Sequence, residues 1–257
     1  STGNYTRTIA KSGSGLTNVS NPRGITLANN GRIYVVDRGN NRIQVFDNNG
    51  THVRSYGSNQ VFNDVWGVAV TNDGTLFVSD FGADKILVFD ETGNLTGSWG
   101  ESGNLSHQLN GPCDLQIGPA GDLYVADYHN FSVKSFTLNG QLIRKIDLRS
   151  HGGRNDSDSR KASKPISVSV REDGLLITSA KNDHNRAKFW VFDRLGNRLW
   201  TREKSWSGNY SSTSGLVAFN SMGKFVWIWD RYLQFYRFHS SYRAGPLLVQ
   251  DSIPYPM

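Results

Sequence analysis

Basic and aromatic residues recur at two kinds of position in this chain. Arg38, Phe81, Tyr128 and Arg231 each follow an aspartate that closes a short apolar run, with Ala180-Lys181 at the fourth such place. Arg23, Trp66, Cys113 and Lys164-Pro165 stand just before another apolar run. Guanidinium and ammonium groups meet phosphates, and an exposed ring stacks on an unpaired base for roughly 1–3 kcal/mol. Gathered on one face, these residues lead to the expectation of a single-stranded RNA ligand, with Asn40, Asn130 and Arg38 available to read base edges. The formal net charge of +6 favours an anionic partner without identifying it. A protein partner is the alternative.

Other chemistry has fewer residues to draw on. Of the six histidines, His107, His129 and His184 fall in loops that could share a pocket, but their spacing matches no short metal motif. Cys113 is the single cysteine, and no repeat-breaking His and Asp accompany it as a nucleophile would require. No Gly-rich loop precedes a helix. The sequence therefore leads to the expectation of no enzyme, no metal and no cofactor, with a metal-dependent lyase the least favoured reading. Asp37, Asp80, Asp127 and Asp230 read as structural, accepting backbone N–H bonds in the following turn, because a catalytic carboxylate would break the repeat rather than obey it. Arg42, Lys85 and Arg186 lie where they could pair with acidic groups.

The elements that hold these positions are repeated ribbons. Gly31 to Gly50 contains two apolar runs, Ile33-Tyr34-Val35-Val36-Asp37 and Arg42-Ile43-Gln44-Val45-Phe46, each long enough for a short strand. Gly74 to Gly93 and Gly121 to Gly140 copy it at the same glycine spacing, and looser copies begin at Gly174 and Gly223. Unit starts 43, 47, 53 and 49 residues apart have the spacing of propeller blades. Small and β-branched runs before each unit suit inner strands, and alternating runs after it suit outer strands with one solvated face.

The expected fold is all-β: a β-propeller of four-stranded antiparallel blades. Five blades are expected at 22–57, 65–99, 112–146, 165–204 and 215–239, the last completed by residues 5–10 so that the N-terminal strand closes the ring. Six would require the tail, 240–257, to supply more than its one candidate strand, 247–250. Residues 149–164 break the pattern as a basic loop.

The whole chain, 1–257, reads as a single domain. No run approaches 18 apolar residues, so no membrane span is expected. A lone cysteine excludes an intramolecular disulfide and leans toward the cytoplasm, whereas seven Asn-x-Ser/Thr triplets keep an extracellular location open.

The chain resembles NHL-repeat propellers, and most closely those at the C-terminus of tripartite-motif–NHL proteins. The resemblance lies in Asn21-Pro22-Arg23-Gly24-Ile25, in Gly31 through Asp37 and in Asn40 through Asp47, with weaker matches at Trp66-Gly67-Val68, Leu76 through Asp80, Gly111-Pro112, Leu123 through Asp127 and His184-Asn185-Arg186. It implies RNA binding on an electropositive face, in post-transcriptional regulation or as the substrate-recognition end of a ubiquitin ligase. The positions implied are Arg23, Arg38, Trp66, Phe81, Tyr128, Lys181 and Arg231.

Overall fold

The computed structural model describes residues 8–57, 61–151, 164–181, 187–204, 216–219, 224–229, 232–237 and 251–254. The chain divides into two compact units, 1–102 and 103–257.

The first unit opens with a two-residue parallel pair, β1 (Lys11–Ser12) and β2 (Asn18–Val19). Its first sheet is the antiparallel meander β3 (Ile25–Leu27), β4 (Ile33–Asp37), β5 (Arg42–Phe46) and β6 (His52–Tyr56). The second is β7 (Val65–Val70), β8 (Leu76–Asp80), β9 (Lys85–Phe89) and β10 (Leu95–Trp99).

The second unit begins with β11 (Pro112–Ile117), β12 (Leu123–Asp127), β13 (Ser132–Phe136) and β14 (Leu142–Asp147). Next come β15 (Lys164–Val170), β16 (Leu176–Lys181), β17 (Ala187–Phe192) and β18 (Arg198–Lys204). Its last sheet is β19 (Leu216–Phe219), β20 (Lys224–Trp229), β21 (Tyr232–Arg237) and β22 (Asp251–Pro254).

The turns follow from local chemistry. Gly31, Gly50, Gly74, Gly93, Gly121, Gly140, Gly174 and Gly196 take φ between +79° and +102°, where a Cβ would clash with its own backbone, and each N–H donates to the carbonyl three residues earlier. In the turns between third and fourth strands, aspartates at the turn start add side-chain bonds: Asp90 Oδ1 accepts from Asn94 N–H at 2.9 Å, and Asp193 Oδ1 accepts from Leu195 and Asn197 N–H at 2.8 Å. The alternating faces then bury one side of each strand. In the first unit, Tyr34, Val36, Ile43, Val45, Val65, Val68, Val78, Leu87 and Phe89 form one core between the two sheets.

Gly24 fixes the approach of those sheets. Its N–H donates to Trp66 O at 2.9 Å, and a Cβ built there would sit 2.8 Å from that oxygen, so only glycine lets β3 lie this close to β7. On β3, Ile25 and Leu27 are 66% and 68% exposed, whereas Val68 and Val168, at the place of Ile25 in β7 and β15, are buried.

The expected closure needs correcting. Four blades, Ile25–Tyr56, Val65–Trp99, Pro112–Asp147 and Lys164–Lys204, precede a last sheet that takes its fourth strand from the C-terminal tail. Antiparallel pairing of β22 with β21, from Tyr232↔Pro254 to Phe235↔Asp251, leaves no place there for an N-terminal strand, and residues 8–10 are not in a strand. Pro254 fits that place, because an outermost strand has a free edge on which a missing N–H costs little. Residues 5–7, 152–163 and the 247–250 candidate strand lie outside the described residues. No helix among the described residues is long and apolar enough to cross a membrane.

Candidate functional site

A bulge at the start of the inner strand creates the first class of candidate positions. The β7–β8 ladder passes from Val65↔Asp80 to Gly67↔Ser79, leaving Trp66 as the extra residue. The same step leaves out Cys113 in β11 and Ile166 in β15. In the first sheet, Arg23 N–H and Gly24 C=O both bond to Val36, which puts Arg23 at the matching place. A bulge re-aims one side chain out of the strand's alternation. The residues there are free to differ from sheet to sheet because they have no ladder partner to fit.

In the first unit this device gathers Arg23, Arg38, Asp64, Trp66 and Phe81. Arg38 forms a bidentate pair with Asp64, Nε to Oδ1 at 2.6 Å and Nη2 to Oδ2 at 2.9 Å. The Trp66 indole N–H donates to the same Asp64 Oδ2 at 3.0 Å. Phe81 stacks on Trp66 with centroids 4.6 Å apart and planes 20° from parallel, while the Arg23 and Arg38 guanidinium carbons lie 4.5 and 5.2 Å from the indole centroid. One ring and two guanidinium groups thus pack against the indole. Burial pushes the Asp64 carboxyl up, but the Arg38 and Trp66 hydrogen bonds and the charges of Arg38 and Arg23 hold it below the usual range. The bond to Asp64 in turn raises Arg38.

In the second unit the counterpart is smaller. Tyr128 has the Lys164 ammonium 5.5 Å from its ring centroid and His129 edge-on at 4.9 Å. Lys181 ends β16, with its side chain outside what is described, and Arg231 lies outside the described residues.

Asn40 and Asn130 hold the fold together. Asn40 Nδ2 donates to both oxygens of buried Asp37 at 2.9 Å, and buried Asn130 donates to Asp127 Oδ2 at 2.8 Å and to Gly103 O at 2.9 Å. The aspartates themselves anchor the chain entering each sheet: Asp37 accepts from Ser20 N–H, Asp80 from Asn63 and Asp64 N–H, and Asp127 from Asn110 N–H. Asp37 also takes Arg42 Nε at 2.8 Å. Arg186 lies outside the described residues.

Asp64 is the functional neighbour that sequence reading missed. Its signal was an acid at a place held by Asn21 and Gly111 in the adjoining repeats.

Cys113 is packed, 3% exposed, with its thiol donating to Ala126 O and Pro165 O at 3.3 and 3.2 Å. Burial raises the thiol's pKa well above the ordinary value, with the nearby carboxylates of Asp114 and Asp127 adding to it. We expect a thiol-specific reagent to label no cysteine in the native protein and one in urea; rapid native labelling would show the packing to be wrong. Among the described residues, no group of three His, Cys, Asp or Glu could hold a metal.

The NHL repeat family matches residues 20–46, the first unit of the repeat. No curated protein matches the chain in sequence. Among solved structures, virginiamycin B lyase from Staphylococcus aureus is similar at 16% identity and a TM-score of 0.63, over 91% of this chain and 71% of that one. A nidogen/laminin complex is similar at 15% identity and a TM-score of 0.62, over 91% and 80%. The β-propeller domain of Cps50 (Swd1) from Myceliophteria thermophila is similar at 10% identity and a TM-score of 0.60, over 91% and 72%. At these identities the likeness shows the fold, a repeat-containing β-propeller. It does not carry the narrower assignment to tripartite-motif–NHL proteins.

Two expectations are thereby corrected. The RNA surface fails on geometry: Trp66 is engaged by Phe81, Arg23 and Arg38, and Asn40 and Asn130 are turned onto buried carboxylates rather than toward base edges. The roles in post-transcriptional regulation and ubiquitin-ligase substrate recognition fall with it, since they came with that resemblance. The exclusion of enzymatic activity does not stand either, because the fold is shared with a lyase.

Proposed function

We propose that this propeller is a protein-docking module whose contact centre is the Trp66 cluster. The observation that carries the reading is that tryptophan, phenylalanine and two arginines are held together before any partner arrives, by a bidentate ion pair, an indole hydrogen bond and a ring stack. Trp and Arg dominate the energetic centres of protein interfaces. Ordering flexible side chains is a main cost of association, and these are ordered already. The name of one similar structure, a nidogen/laminin complex, records the fold in a protein assembly, which supports the reading by analogy alone. The buried, reduced Cys113 fits a cytoplasmic location.

Catalysis is the second reading, favoured by Asp114. Its carboxyl is pushed up to about 6 by burial, in a fold that a lyase shares. Both its oxygens accept backbone N–H bonds, from Leu115 at 3.0 Å and Val168 at 2.9 Å, which tie the carboxyl to the backbone of two sheets.

Selection of a displayed random-peptide library on the intact chain tests the proposal. Enriched peptides should bind Trp66→Ala about thirtyfold more weakly, the loss of a central contact of about 2 kcal/mol. No enrichment, or binding indifferent to that change in a folded variant, would refute it.

A further inference from the structure

The backbone N–H and C=O groups along the outer side of a sheet's last strand are a template on which another strand can add, and charged residues or proline there prevent it. Of the five fourth strands, β6 carries Arg54 at its middle, β14 carries Arg144 and Lys145, and β18 carries Arg198, Arg202, Glu203 and Lys204. β22 begins on Asp251 and ends on Pro254. β10, Leu95-Thr96-Gly97-Ser98-Trp99, has neither a charge nor a proline. Among the described residues it pairs with β9 alone, and Leu95 to Ser98 are exposed, Leu95 by 49%. A Cβ built on Gly97 would meet nothing within 4 Å, so a second backbone can approach there unobstructed.

Charge selects what can pair with each of these edges. A two-fold axis lays a strand antiparallel against its own copy, so a charge at its middle meets the same charge, and like charges directly opposite are destabilising. Arg54 therefore bars β6 from its own copy, and Arg144 with Lys145 bars β14. A strand of another protein could answer those charges with acids, which a copy cannot do. Absence of charge is what self-pairing requires, and β10 alone among the fourth strands has it. We infer that two copies of this chain associate edge to edge through β10, antiparallel, joining their second sheets into one. Such a contact uses the same edge of both copies and closes at two. A strand of 5 residues buries less than the roughly 1,000 Å² of a stable interface, so the dimer is weak, with a dissociation constant of about 0.1 mM. Trp66 lies in β7, at the other edge of the same sheet, so this contact is independent of the docking reading.

Sedimentation velocity and nitrogen-15 NMR of the intact chain, diluted from about 1 mM to about 0.02 mM to bracket that constant, test the pairing. The backbone amides of Leu95 to Trp99 should shift with concentration in step with a monomer–dimer equilibrium, and those of His52 to Tyr56 should stay still. Ser98→Lys places a charge on the open edge and should weaken association at least about tenfold. Leu95→Lys repeats the test at a second exposed position, and urea unfolding should show both variants as stable as the parent. A chain that stays monomeric at the highest concentration, shifts confined to residues outside β10, assemblies larger than two, or association indifferent to both lysines would overturn the inference.

Discussion

Lys134→Met destabilises the protein by about 3–5 kcal/mol in urea unfolding, because the change leaves a buried carboxylate without its counter-ion. Lys134 and Asp127 are each 0% exposed, with Nζ 2.7 Å from Oδ2. The ammonium also donates to the carbonyls of Gln108 and Leu105, the latter at 3.4 Å, so it pins the chain entering β11 as well as the carboxylate. Burial pulls the pair both ways, raising Asp127 and lowering Lys134, against the attraction between them. That opposition makes removal of one partner far costlier than removal of both, and Asp127→Asn combined with Lys134→Met should recover part of the loss. A single-variant loss below about 1 kcal/mol would place the pair in a surface ion-pair regime, contrary to its burial.

Asp114 sets the second large effect, and its sign is opposite to that of a salt-bridged acid. A carboxyl raised from 3.8 to about 6 on folding holds its proton more tightly in the native state. Stability from this group is therefore fully present at about pH 4, falls as pH rises to about 6, and is flat above, a loss of about 2–3 kcal/mol at 1.36 kcal/mol per pKa unit. Asp114→Asn should remove that slope. An amide oxygen also replaces only part of the acceptor capacity facing Leu115 and Val168 N–H, so the variant starts lower at pH 4. Unfolding free energies of the two proteins between pH 4 and 7 should converge as pH rises. Parallel curves would show that Asp114 titrates normally.

The features that sequence reading recovered are those in which cause and effect lie within a few residues. The Gly31-to-Gly50 ribbon and its copies were legible because a left-handed glycine and an Asp-capped turn are local chemistry. The repeated aspartates were read as structural, and Asp37, Asp80 and Asp127 accept backbone bonds, though mainly from the chain entering the sheet rather than the turn after it. Lys134 was not legible: in Ser132-Val133-Lys134-Ser135-Phe136 it reads as a solvated face, and its burial depends on carbonyls nearly 30 residues away.

The RNA expectation failed for a related reason. Arg38, Trp66 and Phe81 were singled out for their kind, and composition does not say whether rings and cations meet a ligand or one another. Asp64, one residue from a bulge that sequence does not announce, turned them inward. The closure failed because the strand pattern at residues 5–10 and the single candidate strand in the tail were weighed without knowing which edge was open.

The central claim is that the Trp66 cluster is a preformed site for protein and not for nucleic acid. Its most direct measurement follows the indole N–H resonances by nitrogen-15 NMR as a peptide enriched from the displayed library and then single-stranded RNA are added. The Trp66 resonance, bonded to Asp64, should shift with the peptide and stay still with RNA, while that of buried Trp190 moves with neither. A Trp66 resonance that moves with RNA alone, or with neither probe, would contradict the account.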